Sequence, residues 1–461
     1  MDAQEEMKAQ NSKDRKQDRK NRKTGKRKGC PDSRTGAGRP KTVWIIDHYS
    51  SEPEYGGISR QYDFAVELGR RGFHVVVIAS GFSHFTHSYI SQKDVKVSRI
   101  AGNVHYIYLK TGSYTSNSGA GRAKSMADFL CMAVRCESSI ARRFGKPDAV
   151  TGCSVHPLAW AAAFHASRRY HARFLAEVRD FWPRVWTASG EKKPADPAVL
   201  FFGMLQWLAF HLADRVIYSM CHGDKYICGE LGIPESRVYF IGQPVDCGRF
   251  DRNREKTWLL PEEVRAFMEI GKENRTGFYC TFAGYYMAYE GVYVMLEAQR
   301  LLEQKGLPVR MVFAGSGPEK GGMEAYAAAH RLENVLICGR LPKEAVPALL
   351  SHSDVCMAHL EVEGHPQVYR YGVSKNKVCE YLYSGACTLY GFMHKDDEAA
   401  ASGGGLMFEP HSAADLAAKI EQVYRMPESR RKGFGENGRS YIRRTHSVQV
   451  LADRLEEVLF R

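Results

Sequence analysis

From residue 41 onward, short apolar runs alternate with longer segments that have the spacing of amphipathic helices. In the first half of the chain the apolar runs are KTVWIIDHY at 41–49, HVVVIAS at 74–80 and RFLAEVRD at 173–180. These runs are rich in β-branched and aromatic residues, which favour strands. Strands that alternate with helices predict an α/β fold, in which crossover helices join parallel strands.

The alternation pauses at 247–275, a highly charged stretch without strand signals. It resumes with FYCTFAG at 278–284, VRMVFAGSGP at 309–318 and VCMAHL at 355–360. A chain of 461 residues is too long for one hydrophobic core. We therefore predict two tandem doubly wound, Rossmann-like domains that face a cleft, with an N-terminal domain at 41–250, a C-terminal domain at 275–440 and a C-terminal helix at 441–461.

Residues 1–40 form a basic tail that carries +7 of the formal charge of +13. The tail has almost no large apolar side chains, so we expect it to be disordered. It also lacks the apolar stretch of a secretory signal, and we expect a cytoplasmic protein. A solvated arm is the favoured interpretation, and attraction to anionic lipid headgroups or nucleic acid is the alternative.

The segment AVLFFGMLQWLAFHLADRVIY at 198–218 is the most apolar of the chain. It contains His211, Asp214 and Arg215, and it is too interrupted to predict a membrane-spanning helix. A core helix followed by a strand is the favoured interpretation. The alternative is a helix that lies in a bilayer surface.

Twelve cysteines occur singly, without a CxxC pair or a Cys/His cluster at zinc spacing. In a chain of this length the pattern indicates reduced thiols, and we predict neither a disulfide framework nor a metal site.

Several polar or glycine-rich stretches follow predicted strands, where parallel sheets bind their ligands. Gly56 and Gly57 precede a helix start, and paired glycines there let a phosphate approach backbone N–H groups. A plain turn is the alternative. Arg60 at the start of the same helix is a candidate substrate contact. GxGxxG is absent, which argues against a dinucleotide site.

Three further candidates come after strands. His156, in TGCSVHP, could bond a sugar hydroxyl or share a proton, although a lone histidine is more often structural. Arg179 and Asp180 end an apolar strand and must pair with each other or meet a substrate. Gly315 and Ser316 allow close approach of a phosphate or base, with a tight turn as the alternative.

The stretch YGVSKNKVCEYLYSG at 371–385 carries the densest set of candidates. Ser374, Lys375, Asn376 and Lys377 lie at or just before a predicted helix N-terminus, which suits a diphosphate. Glu380 follows one turn later, and its carboxylate could accept hydrogen bonds from both hydroxyls of a ribose. Together these groups meet the needs of a nucleoside diphosphate.

These landmarks, in this order, resemble a retaining glycosyltransferase of family 4 with the GT-B fold. The resemblance is carried by the paired glycines, EVRDFWP, IGQPVDCGRF, FAGSGP and GVSKNKVCEYLYSGA, and is greatest to bacterial capsule and O-antigen sugar transferases. It implies that Glu380 holds the donor ribose, that Lys377 approaches the diphosphate beside Gly56 and Gly57, and that His156 lies near the transferred sugar.

Two positions depart from the family pattern. Gly372 stands where the family has the first acid of its E-x7-E motif, and Glu290 stands where a basic residue is common. Both departures leave open which groups stabilise the departing diphosphate.

The resemblance implies transfer of a sugar from a nucleotide diphosphate sugar to a hydroxyl of a glycan or lipid-linked acceptor, in cell-surface polysaccharide synthesis. No metal or other cofactor is expected, because lysines and helix N-termini could supply the positive potential. We also expect peripheral contact with anionic lipid on the inner membrane face. An epimerase or phosphorylase of the same fold and a nucleic-acid-binding protein are the alternatives; the folded part carries only +6, which argues against nucleic acid.

Overall fold

A computed structural model describes residues 39–57, 59–115, 119–360 and 364–461. Nearly all of the predicted basic tail, residues 1–38, lies outside this part of the chain. The described residues form two lobes, each built around its own parallel sheet.

The N-terminal lobe contains an eight-stranded sheet and a short hairpin. Its strands are β1 (Thr42–Ile46), β2 (His74–Ser80), β3 (Phe82–Ser83), β4 (Ser88–Tyr89), β5 (Val95–Ala101), β6 (Val104–Leu109), β7 (Ala149–Cys153), β8 (Arg173–Val178), β9 (Arg215–Tyr218) and β10 (Val238–Phe240). Its helices are α1 (Arg60–Arg70), α2 (Ala120–Phe144), α3 (Leu158–Tyr170), α4 (Arg184–Ala188) and α5 (Pro197–Leu212). A π-helical turn occupies Lys225–Glu230.

The strand order of the first sheet is β10-β9-β8-β7-β1-β2-β6-β5, and only β5 is antiparallel to its neighbour. Alternate residues of β1 enter opposite cores: Trp44 and Ile46 pack on one face, and Val43 and Ile45 pack on the other. The order reverses at β1, between β2 and β7. The loops that follow β1 and β7 therefore meet at a topological switch point, the usual place for a ligand in such sheets.

The segment between the sheets forms α6 (Cys247–Asn253) and α7 (Glu262–Phe267). The C-terminal lobe then has the strands β11 (Phe278–Tyr285), β12 (Val309–Ser316), β13 (Val335–Cys338), β14 (Val355–His359), β15 (Cys387–Gly391) and β16 (Gly405–Phe408). Its helices are α8 (Val292–Gln304), α9 (Lys320–Ala329), α10 (Val346–Ser351), α11 (Asn376–Ser384), α12 (Glu398–Ala401), α13 (Ala413–Arg425) and α14 (Glu428–Thr445), and α15 (Val448–Phe460) ends the chain.

The second sheet has the order β13-β12-β11-β14-β15-β16, and all its strands are parallel. Its switch point lies between β11 and β14, so the loops after these two strands meet at one edge of the sheet. The prediction of two doubly wound α/β domains is confirmed.

The last two helices belong to different lobes. Helix α14 packs on α11 in the C-terminal lobe, whereas α15 packs against α1 of the N-terminal lobe. Leu451 and Leu455 of α15 enter the same core as Val43 and Val75 of the first sheet. The sequence predicted one terminal helix at 441–461, and the structure has a break at 446–447 where the chain crosses between the lobes.

Helix α5 is far more exposed than a core helix. Leu200, Phe201, Met204 and Trp207 are between 47% and 60% exposed, while Ala209 and Phe210 face the core. The favoured interpretation of a core helix therefore accounts for only one side of α5. Within the described residues, no helix combines the length and apolarity needed to cross a membrane.

Candidate functional site

Two pockets open between the lobes. The first, which we call the Glu380 pocket, has a cavity volume of about 40 Å³. Its walls come from the loop after β1, from the interlobe helix α6 and the residues before it, and from the C-terminal lobe. The lining residues are Pro53, Val245, Asp246, Arg249, Phe250, Asn253, Lys343, Glu344, Pro347 and Glu380.

Glu380 lies on the inner face of this pocket, on the second turn of α11. Its carboxylate accepts no hydrogen bond from the described residues, although Val378 and Cys379 beside it are buried in the lobe. Burial raises the pKa of Glu380, and the charges of Lys343 and Arg249 oppose that shift. Glu380 is therefore a half-buried acid with two cations nearby, and none of the described residues donates a hydrogen bond to its carboxylate.

Lys375 and Lys377 converge on one carboxylate. Lys377 Nζ lies 2.8 Å from Glu290 Oε2, and Lys375 Nζ lies 3.0 Å from the same oxygen. Lys375 also donates to the carbonyl oxygen of His359 at 2.8 Å, and Lys377 lies over the ring of Phe282. Glu290 follows β11 and the lysines follow β14, so the reversal of strand order brings the three charges together.

Burial and mutual attraction shift the pKa values of Glu290 and Lys375 in the cluster that these two residues form with Lys377. Burial alone would raise the pKa of Glu290, but the charges of Lys377 and Lys375 hold it below its usual value. Burial lowers the pKa of Lys375 to about 8, against the opposing effect of Glu290. With both lysines protonated and Glu290 ionised, the cluster carries one excess positive charge at the edge of the second sheet.

Ser374 and Asn376 flank this cluster. The Ser374 hydroxyl bonds Ser219 Oγ at 2.8 Å and accepts from Gln243 Nε2, so the N-terminal lobe holds it in place. Asn376 begins α11, and its Oδ1 is buried without a hydrogen-bond partner among the described residues. Of these two predicted diphosphate contacts, only Asn376 retains a free polar atom.

Gly56 lies where the two lobes touch. Its φ is +66°, and a Cβ built on it would lie 2.6 Å from Arg340 Nη2 of the C-terminal lobe. Gly57 has a φ of +134°, and a Cβ there would meet Ser51 Oγ at 2.7 Å. Both positions require glycine, and the first lets the loop after β1 approach a guanidinium across the cleft.

Gly315 and Ser316 lie inside strand β12 itself. A Cβ on Gly315 would lie 1.8 Å from the carbonyl oxygen of Gly284 on β11. The Ser316 carbonyl accepts from the backbone of Tyr286 at 2.8 Å. Close pairing with β11 is therefore sufficient to explain the small residue at 315, and this explanation differs from the tight turn that was the alternative interpretation of the sequence.

The second interlobe pocket, which we call the Asp180 pocket, has a volume of about 150 Å³. Its walls come from the segment after β8, from Met220 and from the segment 368–373, and they are Arg179, Asp180, Phe181, Trp182, Arg184, Val185, Met220, Val368, Tyr369, Tyr371, Gly372 and Val373. Four of the side chains that line this pocket are aromatic. Arg179 and Arg184 contribute positive charge, and Asp180 contributes negative charge.

Arg179 and Asp180 do not pair with each other. Arg179 Nη2 donates to Ser154 O at 2.7 Å and contacts Asp47 at 3.3 Å, while its Nε and Nη1 lack hydrogen-bond partners among the described residues. Desolvation raises the pKa of Asp180 to about 6, even though part of the residue stays exposed to solvent. Both residues therefore keep polar groups in the pocket that the described protein atoms do not satisfy.

Arg60 is committed to the interior of the N-terminal lobe. Its Nε donates to Glu177 Oε1 at 2.6 Å, and its two terminal nitrogens donate to the carbonyls of Ile241 and Gly242. Arg60 is 1% exposed. All sides of its guanidinium are occupied by protein acceptors, which gives it a bracing role between α1, β8 and the loop after β10.

His156 is also fully buried. Its ring lies edge-on to His48, with the ring centroids 4.7 Å apart, and neither of its nitrogens has a hydrogen-bond partner among the described residues. Burial lowers the pKa of His156 to about 3, so the imidazole is neutral near pH 7. Its ring also contacts that of Tyr49 edge-on, with the ring centroids 5.6 Å apart.

Sequence reasoning missed three residues of the interlobe region. Glu290 stood out only as a departure from a family pattern, and Arg340 and Arg122 were not considered. Arg122 Nε donates to Tyr49 Oη at 3.0 Å, and its guanidinium lies over Trp182 of the Asp180 pocket. Arg340 follows β13 directly, so its place after a strand was a usable signal.

The fold is shared with several solved structures. Sucrose-phosphate synthase from Thermosynechococcus elongatus superposes with a TM-score of 0.67 at 14% identity, over 91% of this chain and 98% of that chain. A glycosyltransferase from Rickettsia africae gives 0.62 at 15% identity, over 92% and 98%. HepE from Anabaena, in complex with UDP and glucose, gives 0.61 at 12% identity, over 91% and 99%.

At the level of sequence, residues 264–441 match the model of the family described as glycosyl transferases, group 1. No protein with a curated function matches the chain in sequence. The matched segment contains β11 to β16 together with Glu290, Lys375, Lys377 and Glu380. The chain thus has the GT-B fold of two Rossmann-like lobes, and its C-terminal lobe matches the group 1 glycosyl transferases.

Proposed function

We propose that this protein is a retaining glycosyltransferase of family 4 that uses a nucleotide diphosphate sugar as donor. The observation that carries the proposal is the Glu380 carboxylate, which lines an interlobe pocket and accepts no hydrogen bond from the described residues. Two ribose hydroxyls would satisfy its two oxygens. The match of residues 264–441 to group 1 glycosyl transferases supports the same reading.

Lys375 and Lys377 are the groups we assign to the diphosphate. Their shared contact with Glu290 fixes both ammonium groups at the edge of the second sheet, at the N-terminus of α11. A preorganised positive site of this kind stabilises charge that develops on a leaving group. The structural neighbour from Anabaena, whose structure contains UDP and glucose, supports a nucleoside diphosphate in a fold of this type.

In the proposed reaction the anomeric C–O bond to the diphosphate breaks, and a new C–O bond forms to the acceptor oxygen. The electron pair leaves with the diphosphate, next to Lys375 and Lys377. The acceptor hydroxyl gives its proton to the carboxylate of Asp180, which lines the second pocket. Retention of the anomeric configuration rests on the sequence resemblance alone.

Donor binding requires movement of the lobes. The Glu380 pocket measures about 40 Å³, whereas pockets for ligands of nucleotide size measure roughly 300–1,000 Å³. The approach of Gly56 to Arg340 closes the cleft on one side. We infer an open form in which Arg340 is freed from this contact, and closure over the donor would exclude water from the reaction.

We propose that the lysines take the place of a metal ion at the diphosphate, so transfer should continue in the presence of a chelator. Ammonium groups supply fixed positive charge there without a change in coordination. Comparable rates with and without EDTA would support this, and strict dependence on added Mg²⁺ would contradict it.

The acceptor is proposed to be lipid-linked or a growing polysaccharide, with the enzyme peripheral on the inner membrane face. Two features support this: the exposed apolar side of α5, and a separate apolar groove between α2 and α3 that Arg168 and Arg169 line. Apolar side chains rimmed by arginines fit an anionic lipid surface.

Thermal denaturation with a panel of nucleotide diphosphate sugars tests the proposal. The preferred donor and its free nucleoside diphosphate should raise the melting temperature of the wild-type protein. Glu380→Ala should abolish that rise, while Glu409→Gln, which changes an exposed acid of the same lobe, should leave it unchanged. A normal donor response from Glu380→Ala would remove the assignment, and the anomeric configuration of the product by NMR would decide retention.

A further inference from the structure

Three side chains that commonly bind metal ions meet at a third place between the lobes. His222 comes from the segment after β9 in the N-terminal lobe, and His394 and Asp396 come from the segment after β15 in the C-terminal lobe. One donor atom from each lies within 4.8 Å of the other two. His222 Nε2 is 3.1 Å from Asp396 Oδ1, and the two imidazole rings have centroids 4.6 Å apart.

The tautomer of His394 leaves one ring nitrogen free to bind a metal ion. Its Nε2 lies 3.0 Å from the carbonyl oxygen of Tyr369. Because a carbonyl can only accept, Nε2 carries the hydrogen, and Nδ1 keeps its lone pair when the ring is neutral. Metal-bound histidines typically donate their second N–H to a carbonyl or carboxylate in this way.

We propose that His222, His394 and Asp396 bind one divalent transition-metal ion of the Zn²⁺ type, which joins the two lobes. Two imidazoles and one carboxylate are a usual donor set for such ions, whereas Mg²⁺ and Ca²⁺ prefer oxygen ligands alone. Metal–ligand bonds of about 2.0–2.1 Å place tetrahedral ligands roughly 3.3 Å apart, so the side chains need to move by about 1.5 Å at most.

The site is accessible to an ion from solvent. The side chain of Asp396 is 67% exposed and that of His222 is 14% exposed. A fourth coordination position remains for water.

The proposed ion would stabilise the segment that precedes Lys375 and Lys377, the two lysines assigned to the diphosphate. His394 bonds the carbonyl of Tyr369, and the backbone N–H of His222 donates to the carbonyl of Tyr371 at 3.2 Å. Tyr369 and Tyr371 both line the Asp180 pocket. The ion takes no part in sugar transfer in this proposal, and its effect is to stabilise the contact between the segments that follow β9 and β15.

Calorimetric titration of the untagged, EDTA-treated full-length protein with ZnCl₂ tests the site. We expect one ion per chain, and we expect His222→Ala and His394→Ala each to weaken binding at least tenfold. His330→Ala is the matched control, because this exposed histidine lies on the C-terminal lobe with its ring bonded to its own helix. MgCl₂ should give no binding, and Co²⁺ should give the visible absorption bands of a low-symmetry site in the wild type and in His330→Ala but not in the His222 and His394 variants.

Asp396→Asn keeps the test decisive if a histidine variant does not fold, because Asp396 is exposed and its replacement leaves the core intact. Unchanged zinc affinity in Asp396→Asn, or in a histidine variant that folds, would overturn the proposal. Equal loss of binding in His330→Ala would overturn it as well. Since the readout is metal binding, it is independent of whether the protein transfers sugars.

Discussion

Lys377 Nζ lies 2.8 Å from Glu290 Oε2, and this oxygen also accepts from Lys375. One buried carboxylate after β11 therefore holds two ammonium groups that both follow β14. The family resemblance of the sequence implied a basic residue at position 290, where this chain has an acid. Its partners show that positive charge at this edge of the sheet comes from the loop after β14.

Replacing Glu290 by glutamine should destabilise the protein. The substitution keeps the shape of the side chain but leaves two buried ammonium groups without their counterion, a change that costs about 3 kcal/mol or more in other proteins. Denaturation at pH 7 measures the loss. Glu409→Gln removes a surface ion pair with Lys395 and should cost less than about 1 kcal/mol. Equal stability of the two variants would show that Glu290 does not hold the lysines in solution.

Binding of a nucleoside diphosphate should weaken as the pH rises through about 8, where Lys375 loses its proton. The folding contribution of this group has the opposite trend. The unfolded chain keeps the proton up to its ordinary pKa of 10.5, so the contribution of Lys375 to stability rises between pH 8 and 10.5. Weaker binding over this range therefore does not reflect unfolding through Lys375.

Calorimetry with UDP across pH 6.5–9.5 is the measurement for Lys375. Lys375→Arg keeps its charge over the whole range and should remove the decline near pH 8. Lys375→Met should bind weakly at every pH. A decline of the same size and midpoint in Lys375→Arg would assign the titration to another group.

The contact between Arg60 and Glu177 should be a stability determinant. Both residues are buried, and burial of Glu177 would raise its pKa, but the charges of Arg60 and Arg179 hold that pKa below its ordinary value. Removing one member of such a pair typically costs 3–5 kcal/mol. We expect Glu177→Gln and Arg60→Met to lower the melting temperature strongly. If Arg60→Met instead folds well and shows a raised KM for a substrate, the prediction that Arg60 contacts substrate would be supported.

The apolar side of α5 should direct the protein to anionic membranes. Combined replacement of Phe201, Met204 and Trp207 by serine should reduce co-sedimentation with phosphatidylglycerol vesicles at least tenfold and leave stability near that of the wild type, because these side chains are about half exposed. Trp258→Ser is the matched control, since Trp258 is 67% exposed but lies between the lobes' sheets in sequence. Wild-type protein that ignores these vesicles at low salt would contradict the membrane role.

The strands and their order along the chain could be predicted from sequence because β-branched runs and helical periodicity are local signals. The same reasoning placed Glu380 and Lys377 correctly at the start of a helix after a strand. It could not give side-chain direction. Arg60 begins a helix as predicted, yet it turns inward to Glu177, which is 117 positions away.

Contacts between distant segments account for most of what the sequence did not reveal. Glu290 and Lys377 are 87 positions apart, and His222 and Asp396 are 174 apart. Metal sites are recognised in sequence by short ligand spacings, so a site shared between two lobes gives no such signal. The burial of His156 likewise depends on His48 and Phe129, which come from other elements.

The return of α15 to the first sheet means that the chain crosses the cleft twice. A fragment ended after α14 would leave Leu451, Leu455 and Val458 missing from the N-terminal core, so the amino-terminal half cannot be expected to fold when produced by itself. Any swing of one lobe against the other must also bend the backbone at two places at once. The two crossings are joined to each other by the bridge between Val245 and Ser447, so the terminal helix ties the two lobes together at one place.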